Sequence, residues 1–151
     1  MKKSQFNNLV NEGFNHIPLS REVVVDTATP LALYLKLANN PYSYFLESVQ
    51  GGEKWGRYSF IGLASETVIK VNNYKIRIEK NGKLIQEHEV EDPLVWIEEY
   101  QNQFKVPQLD SLPDFNGGFV GYVGYEIVRY IEPKLAHINK TDELNVPDIL
   151  V

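Results

Sequence analysis

The chain has 151 residues, enough for one ordinary domain with a hydrophobic core of its own. Hydrophobic residues make up 43% of it and the net charge is −5. A folded globule is therefore expected, and binding to a nucleic-acid backbone, which needs a basic surface, is not. The absence of cysteine excludes disulfides, thiolate catalysis and zinc–cysteine sites. No secretory signal or membrane-spanning run of ~20 apolar residues is recognisable, so we expect a cytoplasmic protein with no membrane partner.

The first third of the chain predicts two helices and one strand. Ser4 is a candidate cap for a short helix that ends near Gly13. The β-branched run at residues 22–25 favours a strand. Thr29 followed by Pro30 is typical of a helix start, since a hydroxyl caps the helix and proline fits its first turn.

A hairpin is predicted next, with a first strand at residues 45–48, a glycine-rich turn, and a second strand that starts immediately after Arg57 and Tyr58. The first strand ends in Glu47 and Ser48, and Arg57 comes just before the second. These groups could hold a small zwitterion, because a carboxylate suits its ammonium while a guanidinium and a hydroxyl suit its carboxylate. An ordinary hairpin with a surface ion pair is the alternative.

Residues 66–90 predict antiparallel strands with one wet face, because apolar and charged residues alternate. Asn81 and Gly82 suit the tight turn between two of these strands. A helix should start at Asp92 and Pro93. The sequence therefore predicts an α+β fold of mostly antiparallel sheets with flanking helices.

The glycine-spaced stretch at residues 117–125 resembles a nucleotide loop, but its glycines alternate with large apolar residues. A strand in which glycines admit another backbone is the better interpretation. A short helix should follow at residues 126–131. The apolar run at residues 146–151 predicts a strand, and its lack of a polar tail suggests an incomplete sheet that further polypeptide would continue.

Two blocks of this sequence, residues 46–62 and 117–132, resemble anthranilate synthase component I, the large chorismate-using subunit. The first reads LES and, after a short gap, EKWGRYSFIG; the second reads GGFVGYVGYEIVRYIE. Their order and separation also fit. The resemblance implies that residues 1–151 are the amino-terminal region of that protein and an incomplete part of the chorismate-utilising enzyme fold. Aminodeoxychorismate synthase component I is the sister family and the closest alternative.

The resemblance implies a regulatory and structural role for this chain. In the family, the carboxyl-terminal part holds chorismate and Mg²⁺, and a glutamine amidotransferase subunit, component II, supplies ammonia. The chain itself presents no nucleophile–base pair, and its histidines, His16, His88 and His137, are scattered, so no catalytic or metal-binding residue is expected in it. The fragment alone should be inactive.

The same resemblance implies an L-tryptophan feedback site. Glu47 and Ser48 match the Leu-Glu-Ser motif of that site, Leu46 would line the pocket, and Arg57 is a weaker match because the turn before it varies in length. The other wall of the pocket normally comes from a proline-containing segment that this chain lacks, so the chain alone should bind tryptophan weakly. A stand-alone amino-acid-binding module, or a sheet fragment that self-associates through an unpaired edge, is a further alternative.

Overall fold

The structure, a computed structural model, describes residues 1–48, 58–113, 115–132, 134–135 and 146–151. The helices are α1 (Lys3–Asn11), α2 (Pro30–Leu37), α3 (Pro93–Gln101) and α4 (Val128–Ile131), the last continuing a 3-10 turn at Tyr125–Ile127. The strands are β1 (Tyr44–Glu47), β2 (Ser59–Gly62), β3 (Thr67–Asn72), β4 (Lys75–Lys80), β5 (Lys83–Glu89), β6 (Tyr122–Val123) and β7 (Ile149–Leu150). The predicted α+β class is confirmed.

The strands form two antiparallel sheets. Strands β1 and β2 make a two-stranded hairpin, and the other five make a sheet in the order β5-β4-β3-β7-β6. Strand β7 pairs with β3 on one side and with β6 on the other, so a segment from the far end of the sequence lies inside the sheet. None of the described helices is long and apolar enough to cross a bilayer.

The starts of α2 and α3 are those that the sequence predicts. The Thr29 hydroxyl accepts a hydrogen bond from the Ala32 amide at 3.2 Å. The Asp92 carboxylate accepts one from the Leu94 amide at 2.8 Å and a second from the Val95 amide. Each cap therefore satisfies amides that have no partner within the helix.

Alternation along β3 and β4 places one apolar face of the sheet against α3. The core consists of buried aliphatic residues, Ile69, Val71, Ile76, Ile78 and Ile149, with α3 packed on them. The opposite face carries charge pairs, Lys70 with Glu79 and Arg77 with Glu87, each at 2.7 Å. The prediction of one wet face is confirmed.

Three local predictions were wrong in part. Helix α1 begins at Lys3 after Lys2, with no side-chain cap, so Ser4 lies inside the helix and does not cap it. Residues 22–25 form neither helix nor strand, and Val24 is 81% exposed, because no neighbouring strand pairs with them. The strand predicted at residues 117–125 is limited to β6, since Gly117 and Gly118 have φ values of 138° and 140°.

The glycine-spaced stretch at residues 117–125 admits another backbone, as the sequence predicts. A Cβ placed on Gly121 would lie 1.8 Å from the Leu150 carbonyl oxygen, whereas one on Gly124 would lie 3.1 Å from the Asp148 carbonyl oxygen. The carbonyl of β7 therefore occupies the space that any other side chain at position 121 would need.

Asp148 fastens β7 to the rest of the sheet. Its carboxylate is 8% exposed and accepts hydrogen bonds from the Asn73 amide at 2.6 Å, the Tyr130 hydroxyl at 2.5 Å and Arg129 at 3.2 Å. Its own amide bonds to the Val71 carbonyl at 2.7 Å. The β3–β4 turn, α4 and β7 are thus held at one carboxylate, which balances the cost of burying its charge.

We predict that Gly121→Ala destabilises the protein by about 3 kcal/mol or more, because a backbone atom cannot yield as a side chain can. Gly124→Ala should cost about 1 kcal/mol, since its neighbour needs to move only slightly. Urea unfolding of the two variants measures the difference. Val123→Ala is the control between the two glycines, because Val123 is 57% exposed. Equal losses for the two glycine variants would contradict the close approach at Gly121.

A second prediction concerns alkaline pH. Burial, followed by the hydrogen bond and the negative charge of Asp148, raises the pKa of Tyr130 above its ordinary 10.0. Because the pKa of Tyr130 is higher in the folded state than in the unfolded state, its protonated hydroxyl contributes stability below pH 10. That contribution is lost as the pH rises beyond 10. The loss should not exceed about 1.4 kcal/mol per pH unit, the limit for a single titrating group, and it should be smaller because Tyr130 is only partly buried. Urea unfolding between pH 8 and 11 should show a shallower decline for Tyr130→Phe, and an equally steep decline would contradict the assignment.

Candidate functional site

The site predicted from the sequence lies on the β1–β2 hairpin, whose register fixes which side chains share a face. Tyr44 pairs with Gly62, Phe45 with Ile61, Leu46 with Phe60, and Glu47 with Ser59. Because paired residues point to the same side and neighbours to opposite sides, Leu46 and Glu47 lie on opposite faces of the hairpin.

The Leu46 face is aromatic. The Phe60 ring opposite Leu46 stacks on Tyr58, with centroids 6.0 Å apart, and meets the Phe115 ring edge-on at 5.0 Å. Leu46 itself is 48% exposed. This face therefore offers a half-open apolar surface of the kind that a flat ring can pack against.

The Glu47 face ends in a polar pair. The Ser59 hydroxyl donates to the Glu47 carboxylate at 3.4 Å, and Glu47 is exposed. Further down the same face, Phe45 stacks on Tyr34 of α2 with centroids 5.6 Å apart. The packing of Phe45 holds the strand, and the carboxylate at its end remains open to a ligand.

Ser48 is exposed and comes directly after the last residue of β1. Leu46, Glu47 and Ser48 are thus consecutive around the end of this strand, but Leu46 and Glu47 do not share a face. Arg57 lies outside the described residues, so its place in the site stays a prediction. The structure also places Ser59 beside Glu47, and the sequence did not predict this neighbour. It follows from the register of β1 with β2, which the sequence of the turn does not specify.

The two described histidines have aromatic neighbours. His16 meets the Phe104 ring edge-on at 4.7 Å, and His88 lies 5.4 Å from Trp96. Among the described residues, no three carboxylate or histidine side chains are grouped closely enough to hold a metal ion. His137 lies outside the part of the chain that the structure describes.

No model of a known protein family matches the chain. Individual proteins do. Anthranilate synthase component 1 of Pseudomonas putida is 51% identical over 151 residues, which cover 100% of this chain, and that of Pseudomonas aeruginosa is 49% identical over the same length. The corresponding protein of Aquifex aeolicus is 42% identical over 125 residues, or 82% of this chain.

The matched part is the amino-terminal region of these relatives, and the chain spans 31% of the length of the two Pseudomonas proteins. The likeness therefore extends through both the hairpin and the five-stranded sheet. Along its whole length, the chain is similar to the amino-terminal region of anthranilate synthase component 1 proteins.

Proposed function

We propose that this chain is the regulatory and structural part of an anthranilate synthase component 1. In that role the hairpin binds L-tryptophan as a feedback inhibitor, and the five-stranded sheet supports the rest of the enzyme. The observation that carries the proposal is the match along the whole chain to proteins of that name, at 51% identity for the nearest relative described above.

The proposed whole enzyme converts chorismate and ammonia to anthranilate and pyruvate, a lyase reaction of tryptophan biosynthesis. Component II, a glutamine amidotransferase, would supply the ammonia. Chorismate and Mg²⁺ would be held by polypeptide outside this chain, so no residue described above is assigned to a chemical step. The chain alone is expected to be inactive.

The geometry of the hairpin suggests how the inhibitor is held. The Glu47 carboxylate would accept hydrogen bonds from the ligand's ammonium group, while Ser48 and Arg57 would donate to the ligand's carboxylate. Because Leu46 lies on the opposite face from Glu47, the ligand would lie across the end of β1, with its indole towards Leu46 and the ring of Phe60. A ligand in this position has one open side, so the isolated chain should bind it weakly.

Inhibition requires that tryptophan bind two arrangements of the enzyme with different affinity, since a ligand shifts an equilibrium only by that difference. Coupling between two sites is typically 1–3 kcal/mol, or about 5–150-fold in affinity. In the proposed enzyme, the arrangement that tryptophan favours turns over chorismate poorly.

Aminodeoxychorismate synthase component I is the less favoured function. The relatives described above, which match this chain along most or all of its length, carry the name anthranilate synthase component 1. The identity of the aminated product from the whole enzyme would decide between the two.

The test uses two ligands on the whole enzyme: L-tryptophan, and indole-3-propionate, which lacks the ammonium group. Glu47→Gln should weaken the binding of tryptophan about tenfold, since hydrogen bonds to charged groups contribute roughly 1.5–3 kcal/mol. It should leave the binding of indole-3-propionate nearly unchanged. Ser48→Ala should weaken both ligands to a similar degree, because both carry the carboxylate. Calorimetry measures each dissociation constant.

Glu66→Gln is the matched control, because Glu66 is also exposed but lies just before β3, away from the end of the hairpin. It should change neither dissociation constant. If Glu47→Gln raises the dissociation constants of both ligands equally, or of neither, then Glu47 does not bind the ammonium and the proposed site is wrong.

A further inference from the structure

We propose that Tyr42 and Lys70 are positioning residues that couple the hairpin to the five-stranded sheet. An amino acid bound at the end of β1 would then act on the rest of the enzyme through the contact between these two side chains. The inference rests on the proposed feedback function and extends it to residues outside the ligand site.

The backbone of Tyr42 is unusual. Its φ is 60°, in the left-handed region; the other described non-glycine residues with positive φ are Asn73 and Asn81, both in tight hairpin turns. Asparagine tolerates this conformation, whereas for a bulky side chain it is a genuine outlier. Such a conformation persists only where surrounding contacts impose it, and it is enriched at switch regions.

One of those contacts closes the base of the hairpin. The Tyr42 carbonyl accepts a hydrogen bond from the Ser65 amide at 3.1 Å. Tyr42 lies two residues before β1 and Ser65 three residues after β2. The chain entering the hairpin and the chain leaving it are therefore joined at Tyr42.

The second contact reaches the large sheet. The Lys70 ammonium lies 5.5 Å from the centroid of the Tyr42 ring, within the range of a cation–π interaction. The same ammonium is 2.7 Å from the Glu79 carboxylate on β4. The hydrogen bond to Glu79 raises the pKa of Lys70, and partial burial opposes that rise. Lys70 lies on β3 and pairs with Leu150 of β7, inside the sheet.

Because Glu47 lies far along the strand from Tyr42, a small rotation at Tyr42 displaces Glu47 by several ångströms. Glu47 lies five positions after Tyr42, or about 16 Å along an extended chain. A rotation of about 10° at the base would therefore move Glu47 by about 3 Å. A ligand that fixes the position of Glu47 thus favours one orientation of the base, and the Tyr42 ring carries that preference to Lys70.

The test measures coupling directly in the whole enzyme. The dissociation constant of L-tryptophan is determined by calorimetry with and without saturating chorismate, in the absence of ammonia and glutamine so that chorismate is not aminated. The ratio of the two constants should be fivefold or more in the wild type. Lys70→Met and Tyr42→Asn should each lower it at least threefold. Lys70→Arg and Tyr42→Phe, which keep the cation and the ring, should stay within twofold of the wild-type ratio.

Lys75→Met is the matched control, because Lys75 also pairs with a glutamate on the neighbouring strand, at 3.4 Å, but that glutamate is Glu87 of β5, the edge strand of the sheet. If Lys70→Met does not fold, the ratio is measured with Tyr42→Asn alone, because asparagine tolerates a positive φ. An unchanged ratio with tryptophan still bound overturns the coupling role alone. Failure of the wild type to bind tryptophan overturns the proposed function and this inference together.

Discussion

The position of β7 is the constraint on which the rest of this structure depends. Two residues, Ile149 and Leu150, lie between β3 and β6 and connect parts of the sheet that are distant in sequence. Ile149 is 1% exposed and completes the apolar core. The carboxylate of Asp148 then binds the β3–β4 turn and α4, so a single short segment fixes three others. Burying that carboxylate is favourable only because each of its oxygens has donors.

The candidate site depends on the same constraint. Strand β3 carries Lys70 beneath the hairpin base, and β7 pairs with β3 at that residue. The base of the hairpin therefore contacts the sheet through Tyr42 and Lys70, while its end, with Glu47 and Ser48, is exposed. An exposed end on a base that contacts the sheet suits the proposed regulatory site, because a ligand there can select between orientations of the hairpin without disturbing the core.

The chemistry of two helix caps and one turn could be predicted from the sequence, whereas the pairing of strands distant in sequence could not. The Thr29 and Asp92 caps and the Asn81 turn depend on residues a few positions apart, so their chemistry is visible in a short window. The strand predicted at residues 22–25 is absent because strand preference needs a neighbouring strand, which no window shows. The resemblance implied roles for Leu46, Glu47 and Ser48, but the opposite faces of Leu46 and Glu47 followed only from the register of β1 with β2.

The most direct measurement of the central claim is amide hydrogen exchange of the whole enzyme with and without L-tryptophan. If tryptophan binds at the end of β1, the amides of β1 and β2 should exchange more slowly in its presence, because a ligand that binds the folded hairpin disfavours its local opening. Indole-3-propionate at the same concentration should protect them less. Protection confined to other parts of the enzyme, with β1 and β2 unchanged, would contradict the account.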